Sequence, residues 1–289
     1  MKLCVACATP FASPDWTCPA CGATPPVVDG HLAFSPELAV QGSGFKAEHF
    51  EQLAANEERS FWFRSRNRLL VWAMRRYFPK AQSLLEIGCG NGYVLMGLQQ
   101  ALPRLTLAGS EIFSAGLEFA ARRLPGVDLF QMDATSIPYQ DEFDVIGAFD
   151  VLEHIKADET VLAQMYRAVK PGGGILITVP RHMFLWSQSD VEAMHERRYS
   201  AREMRAKIQR AGFKVTMTTS FVSLLFPLMA AQRLTKRRPN PKYSVHQELA
   251  IGGVANWGME RTLSVERGLI KSGVRFPLGG SLLAVARKV

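Results

Sequence analysis

The chain has 289 residues, 47% of them hydrophobic and 21% charged. That is an ordinary globular composition, with room for one large core and one accessory module, and it excludes an intrinsically disordered chain. The formal charge of +8 suits an anionic partner, whether nucleic acid, an acidic small molecule or a phospholipid surface, and does not choose among them.

Met1, Lys2 and Leu3 lead into a cysteine rather than an apolar run, so no secretory signal is expected and the protein should stay in the cytoplasm. Four of the five cysteines fall within the first 21 residues, as Cys4-x-x-Cys7 and Cys18-x-x-Cys21. Two such pairs read as a Cys4 zinc site in a ribbon spanning 1–30, because each tight turn lets two thiolates reach one ion. Two disulfides, a redox pair or a rubredoxin-like iron site are the other readings, and a reducing compartment disfavours the first. Pro25, Pro26, several glycines and few charges follow, which suits an irregular linker, set at 31–46. The ribbon is therefore expected to be tethered rather than fused to the domain at 47–289.

Between 47 and 78 the apolar positions Phe50, Leu53, Phe61, Leu69, Leu70, Ala73 and Met74 recur at mostly helical spacing, and Pro79 closes the run. Two helices are predicted. Strand-like and helical runs then alternate. Strands are predicted at 83–87, 105–110, 127–131, 143–149 and 174–179, and helices at 94–101, 115–124 and 158–169. Lys170, Pro171, Gly172 and Gly173 read as a helix stop. A helix at 201–211 and strands at 213–219 and 281–286 complete the pattern. Alternation of this kind predicts an α/β fold, a mostly parallel sheet with helices on both faces.

An insertion at 220–280 separates the last two strands. Its apolar run 221–229 contains Ser223 and Pro227 and is shorter than the ~20 residues a membrane-spanning helix needs. Lys236, Arg237 and Arg238 follow it, and the pairing fits an interfacial surface, a pocket wall or a dimer seam. A helix at 256–271 is expected beside it.

The segment Leu84-Leu85-Glu86-Ile87-Gly88-Cys89-Gly90-Asn91-Gly92 sits where the first main strand turns into a helix, and its glycines let a ligand approach the backbone. A dinucleotide fingerprint would require a small residue at 93, where this chain has Tyr93, so pyrophosphate binding is disfavoured. Glu86 points the same way: a carboxylate beneath the loop repels phosphate and attracts the ammonium and sulfonium of S-adenosylmethionine. Glu111 ends the next strand, where a carboxylate can accept from ribose hydroxyls; otherwise it is a solvated loop residue.

These features, with Met132-Asp133-Ala134, Phe143-Asp144-x-Ile146 running on to Asp150-x-Leu152-Glu153-His154, and Lys170-Pro171-Gly172-Gly173, resemble class I, Rossmann-like S-adenosylmethionine-dependent methyltransferases over about residues 50–289. The resemblance implies a seven-stranded sheet and a cofactor site of Glu86, Gly88, Gly90, Gly92, Glu111, Asp133, Ala134 and Asp150. It implies that Asp133 bonds the adenine amino group, Ala134 offers its amide to the ring, and Asp150 lies beside the cofactor. Asp133 alternatively reads as a helix N-cap. Asp144 reads as structural, and Cys89 as a small filler without catalytic role.

Methyl transfer from a sulfonium is an in-line displacement with a good leaving group, so holding the reactants close, aligned and dry supplies most of the acceleration. A hydroxyl acceptor would benefit from a base. His154, His182 and His195 are the candidates near strand ends, His154 and His195 the better placed. A structural hydrogen bond is the alternative for His154. His195 lies in a loop leading to a helix capped by Ser200 and is expected to cover the acceptor pocket. That loop, with Trp186, Asp190 and Ala211-Gly212-Phe213, resembles bacterial methyltransferases acting on small molecules, quinones, lipids or sugars. Phe61, Trp62 and Phe63 form a helical lid or core packing, with Arg64 and Arg66 as possible anion clamps.

The expected function is methylation, on oxygen, of a small-molecule or lipid- or sugar-linked acceptor, with peripheral contact at the inner membrane face through 221–238. One alternative is a ribosomal RNA methyltransferase that uses the ribbon to bind substrate. Against amino-group methylation of bases, the fourth strand is followed by Asp150-Val151-Leu152-Glu153 rather than an Asn-Pro-Pro-Tyr-like tetrapeptide. A second alternative is a non-catalytic scaffold that kept the cofactor fold.

Overall fold

The computed structural model describes residues 1–39, 47–235 and 252–289. Its N-terminal ribbon pairs β1 (Lys2–Leu3) with β2 (Pro10–Phe11), and β3 (Val27–Val28) turns back into β4 (His31–Ala33). Then come α1 (Ala47–Glu57), α2 (Phe61–Tyr77), β5 (Ser83–Ile87), α3 (Tyr93–Ala101), β6 (Thr106–Glu111), α4 (Ser114–Arg123), β7 (Asp128–Gln131) and β8 (Phe143–Phe149). The second half runs α5 (Asp158–Ala168), β9 (Val169–Pro180), α6 (Gln188–Glu192), α7 (Ala201–Arg210), β10 (Lys214–Phe221), α8 (Phe226–Thr235), α9 (Gly253–Lys271) and β11 (Ser281–Arg287).

The large sheet has nine strands in the order β10-β11-β9-β8-β5-β6-β7-β4-β3. The seven expected strands, β5 to β11, form its body, parallel from β7 through β9 and antiparallel where β11 meets β9 and β10. Alternation along β5 and β8 divides the core. Leu85 and Ile146, which are partners in register, face one layer with Ile175, Ile177 and Leu162; Leu84 and Val145 face the other with Leu70, Leu98 and Leu176. A strand buried on both faces needs helices on both, and the long apolar runs meet that condition. The strands' C-terminal ends then bring the loops after β5, β6, β7 and β8 to one edge.

Three expectations about connections change. The expected linker at 31–46 begins with an ordered strand: β4 pairs parallel with β7, Leu32 opposite Phe130 and Ala33 opposite Gln131, so the sheet gains two strands. The signal lay in Asp29 and Gly30, both at positive φ, the Asp-Gly pair that a tight hairpin turn prefers. The rest of that linker, 40–46, lies outside the described residues. Nor is the ribbon a free tether. Trp16 packs 4.4 Å from Phe34 and 5.4 Å from Tyr139, ring centre to ring centre, the Leu3 amide donates to the Pro138 carbonyl at 2.9 Å, and the N-terminal ammonium pairs with Glu142. Likewise Lys170-Pro171-Gly172-Gly173 ends α5 but opens no loop. It is bulged into β9, whose register against β8 jumps from Val169 opposite Phe143 to Gly174 opposite Val145.

Among the described residues, the insertion holds two helices, α8 and α9. The turn after β10 is pinned by the buried Glu266 of α9, whose carboxylate accepts from the Ser223 and Leu224 amides at 2.7 and 2.8 Å. From its other end α9 grips α2: Glu260 takes both Arg64 and Arg68, and the Asn256 side chain accepts the Phe61 amide at 2.8 Å. Lys236, Arg237 and Arg238 lie outside the described residues.

Candidate active site

The loop 88–92 joins β5 to α3 with Gly88, Gly90 and Gly92 all at positive φ. Gly92 has a second constraint besides its backbone, because a Cβ there would lie 2.6 Å from a Leu124 methyl and 3.2 Å from the Ala120 methyl. At Gly88 a Cβ would strike Val151 at 2.6 Å. The Asn91 side chain donates to the Phe50 carbonyl at 2.8 Å, which ties α1 to the loop.

Two buried carboxylates stand by this loop with opposite fates. Glu111 is satisfied by backbone: one oxygen accepts from Gly90 at 3.0 Å, the other from Ile112 at 2.8 Å and Phe113 at 3.4 Å. It is not the solvated residue of the alternative reading. Glu86 is 2% exposed, and one of its oxygens has no hydrogen-bond partner among the described residues. Burial pushes its carboxyl well above the usual range, with Arg66 opposing and Glu111 reinforcing. An orphaned acidic oxygen beside a glycine loop fits a cationic amine, since a buried polar group is costly until paired.

Asp133 follows β7. Its carboxylate accepts from the Thr135 amide at 2.8 Å and the Thr135 hydroxyl at 2.5 Å, so it caps a turn rather than a helix. Its own amide donates to the Ser35 hydroxyl at 3.3 Å, and Gln131 donates to the Ser35 carbonyl at 2.8 Å. A residue next to β4 thus buttresses the Asp133–Ala134 corner, a role that one residue's position in sequence does not disclose.

Asp150 ends β8 at φ +60 and pairs with Arg66 of α2. Arg66 is nearly buried and lies 4.4 Å over the Trp62 ring and 5.4 Å over Phe63, a stacked geometry that suits a planar guanidinium. The aromatic lid and the arginine are therefore one unit. Arg64 is not beside it, being held by Glu260.

Past Asp150, a short turn at Leu152–His154 places Glu153 inward, fully buried, with both carboxylate oxygens lacking hydrogen-bond partners among the described residues. Burial and the neighbouring Asp150 push it well above the usual carboxylate range. His154 meets His195 edge to face, with ring centres 4.7 Å apart. Desolvation, with His195 opposite, holds His154 down to about 4. The Nδ1 of His195 lies 2.9 Å from Asp190, which is completely buried and held to about 2 by His195 and Arg198. Arg198 donates twice to that carboxylate, at 2.6 and 3.0 Å, and the Ser187 amide adds a third bond at 2.9 Å. His154 and His195 are thus brought together. His182 is not: at φ +65 after β9, it packs against Phe184 and Phe226. Glu153 and Arg198 went unassigned because their partners are set by packing: Glu153 stands by His195 on a distant loop, and Arg198 turns back onto Asp190 within its own loop.

At the other end, the four ribbon thiols form one cluster. Sγ of Cys4 lies 3.6 Å from that of Cys21, and Sγ of Cys7 lies 3.7 Å from that of Cys18. Zinc–sulfur bonds of about 2.3 Å set tetrahedral edges of roughly 3.8 Å, so the set fits one ion almost without movement. Cys89 stands apart; burial pushes its thiol up, which leaves it inert.

A phthiotriol/phenolphthiotriol dimycocerosates methyltransferase of Mycobacterium ulcerans is 29% identical over 181 residues, 61% of this chain and 65% of that protein. A tRNA (carboxymethyluridine(34)-5-O)-methyltransferase of Arabidopsis thaliana is 32% identical over 113 residues, 38% of this chain and 26% of its own length. The chain thus spans less than two thirds of the length of these curated relatives. Among solved structures, a chain from the complex of the Haloferax volcanii Trm112 methyltransferase activator with a methyltransferase aligns over 84% of this chain and 93% of its own. Its TM-score is 0.55 at 17% identity, a likeness of fold. The model described as "Methyltransferase domain" matches residues 53–218, more than half of the chain and all of the loops just described, so the chain belongs to that methyltransferase domain family.

Proposed function

We propose that the protein transfers a methyl group from S-adenosylmethionine to the oxygen of a small-molecule or lipid-linked acceptor. The observation that carries the reading is the buried carboxylate of Glu86 beneath a glycine loop, one oxygen of which has no partner among the described residues. When bound, S-adenosylmethionine supplies a methyl group activated by a positive sulfur. Glu86 would take its ammonium group, and the spare lone pairs of Glu111 its ribose hydroxyls. Asp133 and the Ala134 amide would hold the adenine, while Arg66, already beside Asp150, would receive a carboxylate.

The acceptor would enter beside His154 and His195. Met183, Phe184, Val191 and Met194 are exposed on the segment that carries His195, and Leu224 and Leu228 are exposed just before and within α8. Exposed apolar side chains next to a polar pair favour an acceptor with an apolar tail, and the mycobacterial relative's named substrate is of that chemistry. No helix among the described residues is long and apolar enough to cross a membrane, so the proposal is peripheral contact at the inner face from the cytoplasm. The imidazole pair of His154 and His195 would face the acceptor hydroxyl, whose proton has to leave on methyl transfer. Zinc in the ribbon is proposed to be structural, holding the Trp16 face against the sheet.

Labelled S-adenosylmethionine incubated with purified protein and two fractions of the source cell, total RNA and organic extract, tests the assignment. Label in the extract is expected and yields the acceptor. Label in RNA would overturn this reading in favour of the tRNA-acting relative's chemistry, with the ribbon as a substrate module. For the ribbon, Cys18→Ser should release zinc in metal analysis; unchanged zinc would refute the Cys4 site.

A further inference from the structure

Among the described residues, two groups of side chains bring at least three metal-binding atoms together: the ribbon thiols, and Glu153, His154 and His195, whose donor atoms all lie within 4.8 Å of one another. We propose that Glu153, His154 and His195 form a second metal centre, a face of two imidazoles and one carboxylate that takes a divalent first-row transition cation. Three protein ligands leave coordination positions open, and the acceptor's oxygen would fill one. That last point rests on the methyl-transfer reading; the ion site does not.

Three observations support the site independently of its composition. Among the described residues both oxygens of Glu153 are buried without partners, although neighbouring carboxylates are paired with arginines, half-buried Asp150 with Arg66 and buried Asp190 with Arg198. A buried carboxylate left without hydrogen bonds is costly, and a cation is the partner that fits between it and two imidazoles. The second observation is the orientation of His195. Its Nδ1 is engaged by Asp190, which fixes the tautomer with the proton on Nδ1 and leaves Nε2 as a bare donor. This carboxylate–histidine arrangement is the one that metal-bound imidazoles carry behind them. The third is rigidity: Asp190 is itself locked by Arg198 and Ser187, and the turn bearing Glu153 is held where Tyr199 donates to the Leu152 carbonyl at 3.1 Å. Ligand bonds of about 2.0–2.2 Å put neighbouring donors roughly 3–3.5 Å apart, so side-chain rotation of about an ångström closes the triangle.

The chemistry follows. An acceptor hydroxyl bound to the cation loses its proton to water more readily, because the ion stabilises the oxyanion. That oxygen forms the new O–CH₃ bond as the S–CH₃ bond breaks, its electron pair staying on sulfur as S-adenosylhomocysteine. One proton is released to solvent per turnover, and no redox change occurs.

Manganese is the probe, since a hard ion disfavours the thiolate ribbon. Titration of the full chain, followed by loss of the free Mn²⁺ electron paramagnetic resonance signal, should give about one ion per chain. Cys18→Ser should leave that binding intact. Glu153→Gln and His195→Ala should each weaken it by at least roughly tenfold, and Asp190→Asn by roughly tenfold to a hundredfold. Near-ultraviolet circular dichroism reports folding, and if Glu153→Gln fails to fold, His195→Ala decides the matter. No Mn²⁺ bound by the wild type, or equal binding by the folded variants, overturns the site. Calorimetry with S-adenosylmethionine runs in parallel: a chain that binds Mn²⁺ but not the cofactor keeps the ion site and loses the methyl-transfer reading, and the reverse result does the opposite.

Discussion

The two ends of the active-site edge solve the same problem, buried acid, by different means. At the cofactor end, after β5 and β6, main chain does most of the work: three glycines at positive φ and three backbone amides on Glu111. At the acceptor end, after β8 and β9, side chains do it, with Arg66 on Asp150 and Arg198 with His195 on Asp190. Backbone solutions are local and tolerate little change in shape. Side-chain solutions draw on distant segments, and one carboxylate, Glu153, is left over.

The sharpest way to break the contrast is at Gly92. Gly92→Val should destabilise the fold by about 3 kcal/mol or more, combining a left-handed backbone with a crowded Cβ, as denaturant melts would measure. If the loss is under about 1 kcal/mol, the cofactor end is not rigid main chain. Asp190→Asn should cost nearly as much, about 3 kcal/mol, because it leaves Arg198 buried without a full charge partner. The pH dependence has a definite sign. Asp190 is held at about 2, below its unfolded value, so its stabilisation is present above about 4 and is lost as pH falls towards 2; the variant should lack that loss.

Glu86→Gln should weaken S-adenosylmethionine binding by roughly 30-fold or more in calorimetry, yet stabilise the free protein by removing a buried charge. Glu86 is raised above its unfolded value, so its contribution is present at low pH and falls as pH rises through the folded-state value. The variant's melting temperature should therefore drop less between pH 5 and 8 than the wild type's, and equal drops would remove Glu86 from the buried set. The smallest change in stability belongs to the mouth. Phe184→Ala should stay within about 0.5 kcal/mol in melts, while lowering co-sedimentation with anionic phospholipid vesicles; unchanged sedimentation would take the apolar mouth out of the lipid reading.

This contrast also explains what the sequence disclosed. The body of the sheet was legible because its strands are apolar runs between turn residues: β5 and β8 fall at 83–87 and 143–149, as expected. The cofactor loop was legible because backbone chemistry is written in consecutive residues. Asp190 behind His195, Arg66 on Asp150 and the inward turn of Glu153 were not, since each depends on packing that brings together elements 5 to 84 residues apart. β4 was missed for a related reason, since three residues are too few for a periodic signal and their partner lies about 100 positions away.

That last separation bears on how the chain is made. Ser35 grips Gln131 across 96 residues, and at synthesis rates of about 5–20 residues per second the wait is roughly 5–20 s. The ribbon therefore leaves the ribosome with no docking face yet translated, while Trp16 lacks the Tyr139, and Phe34 the Phe130, against which they later pack. An ion held early by the four thiols would keep that small hairpin folded until its berth exists. Metal supply during translation, more than in the finished protein, would then set the yield of correctly assembled molecules.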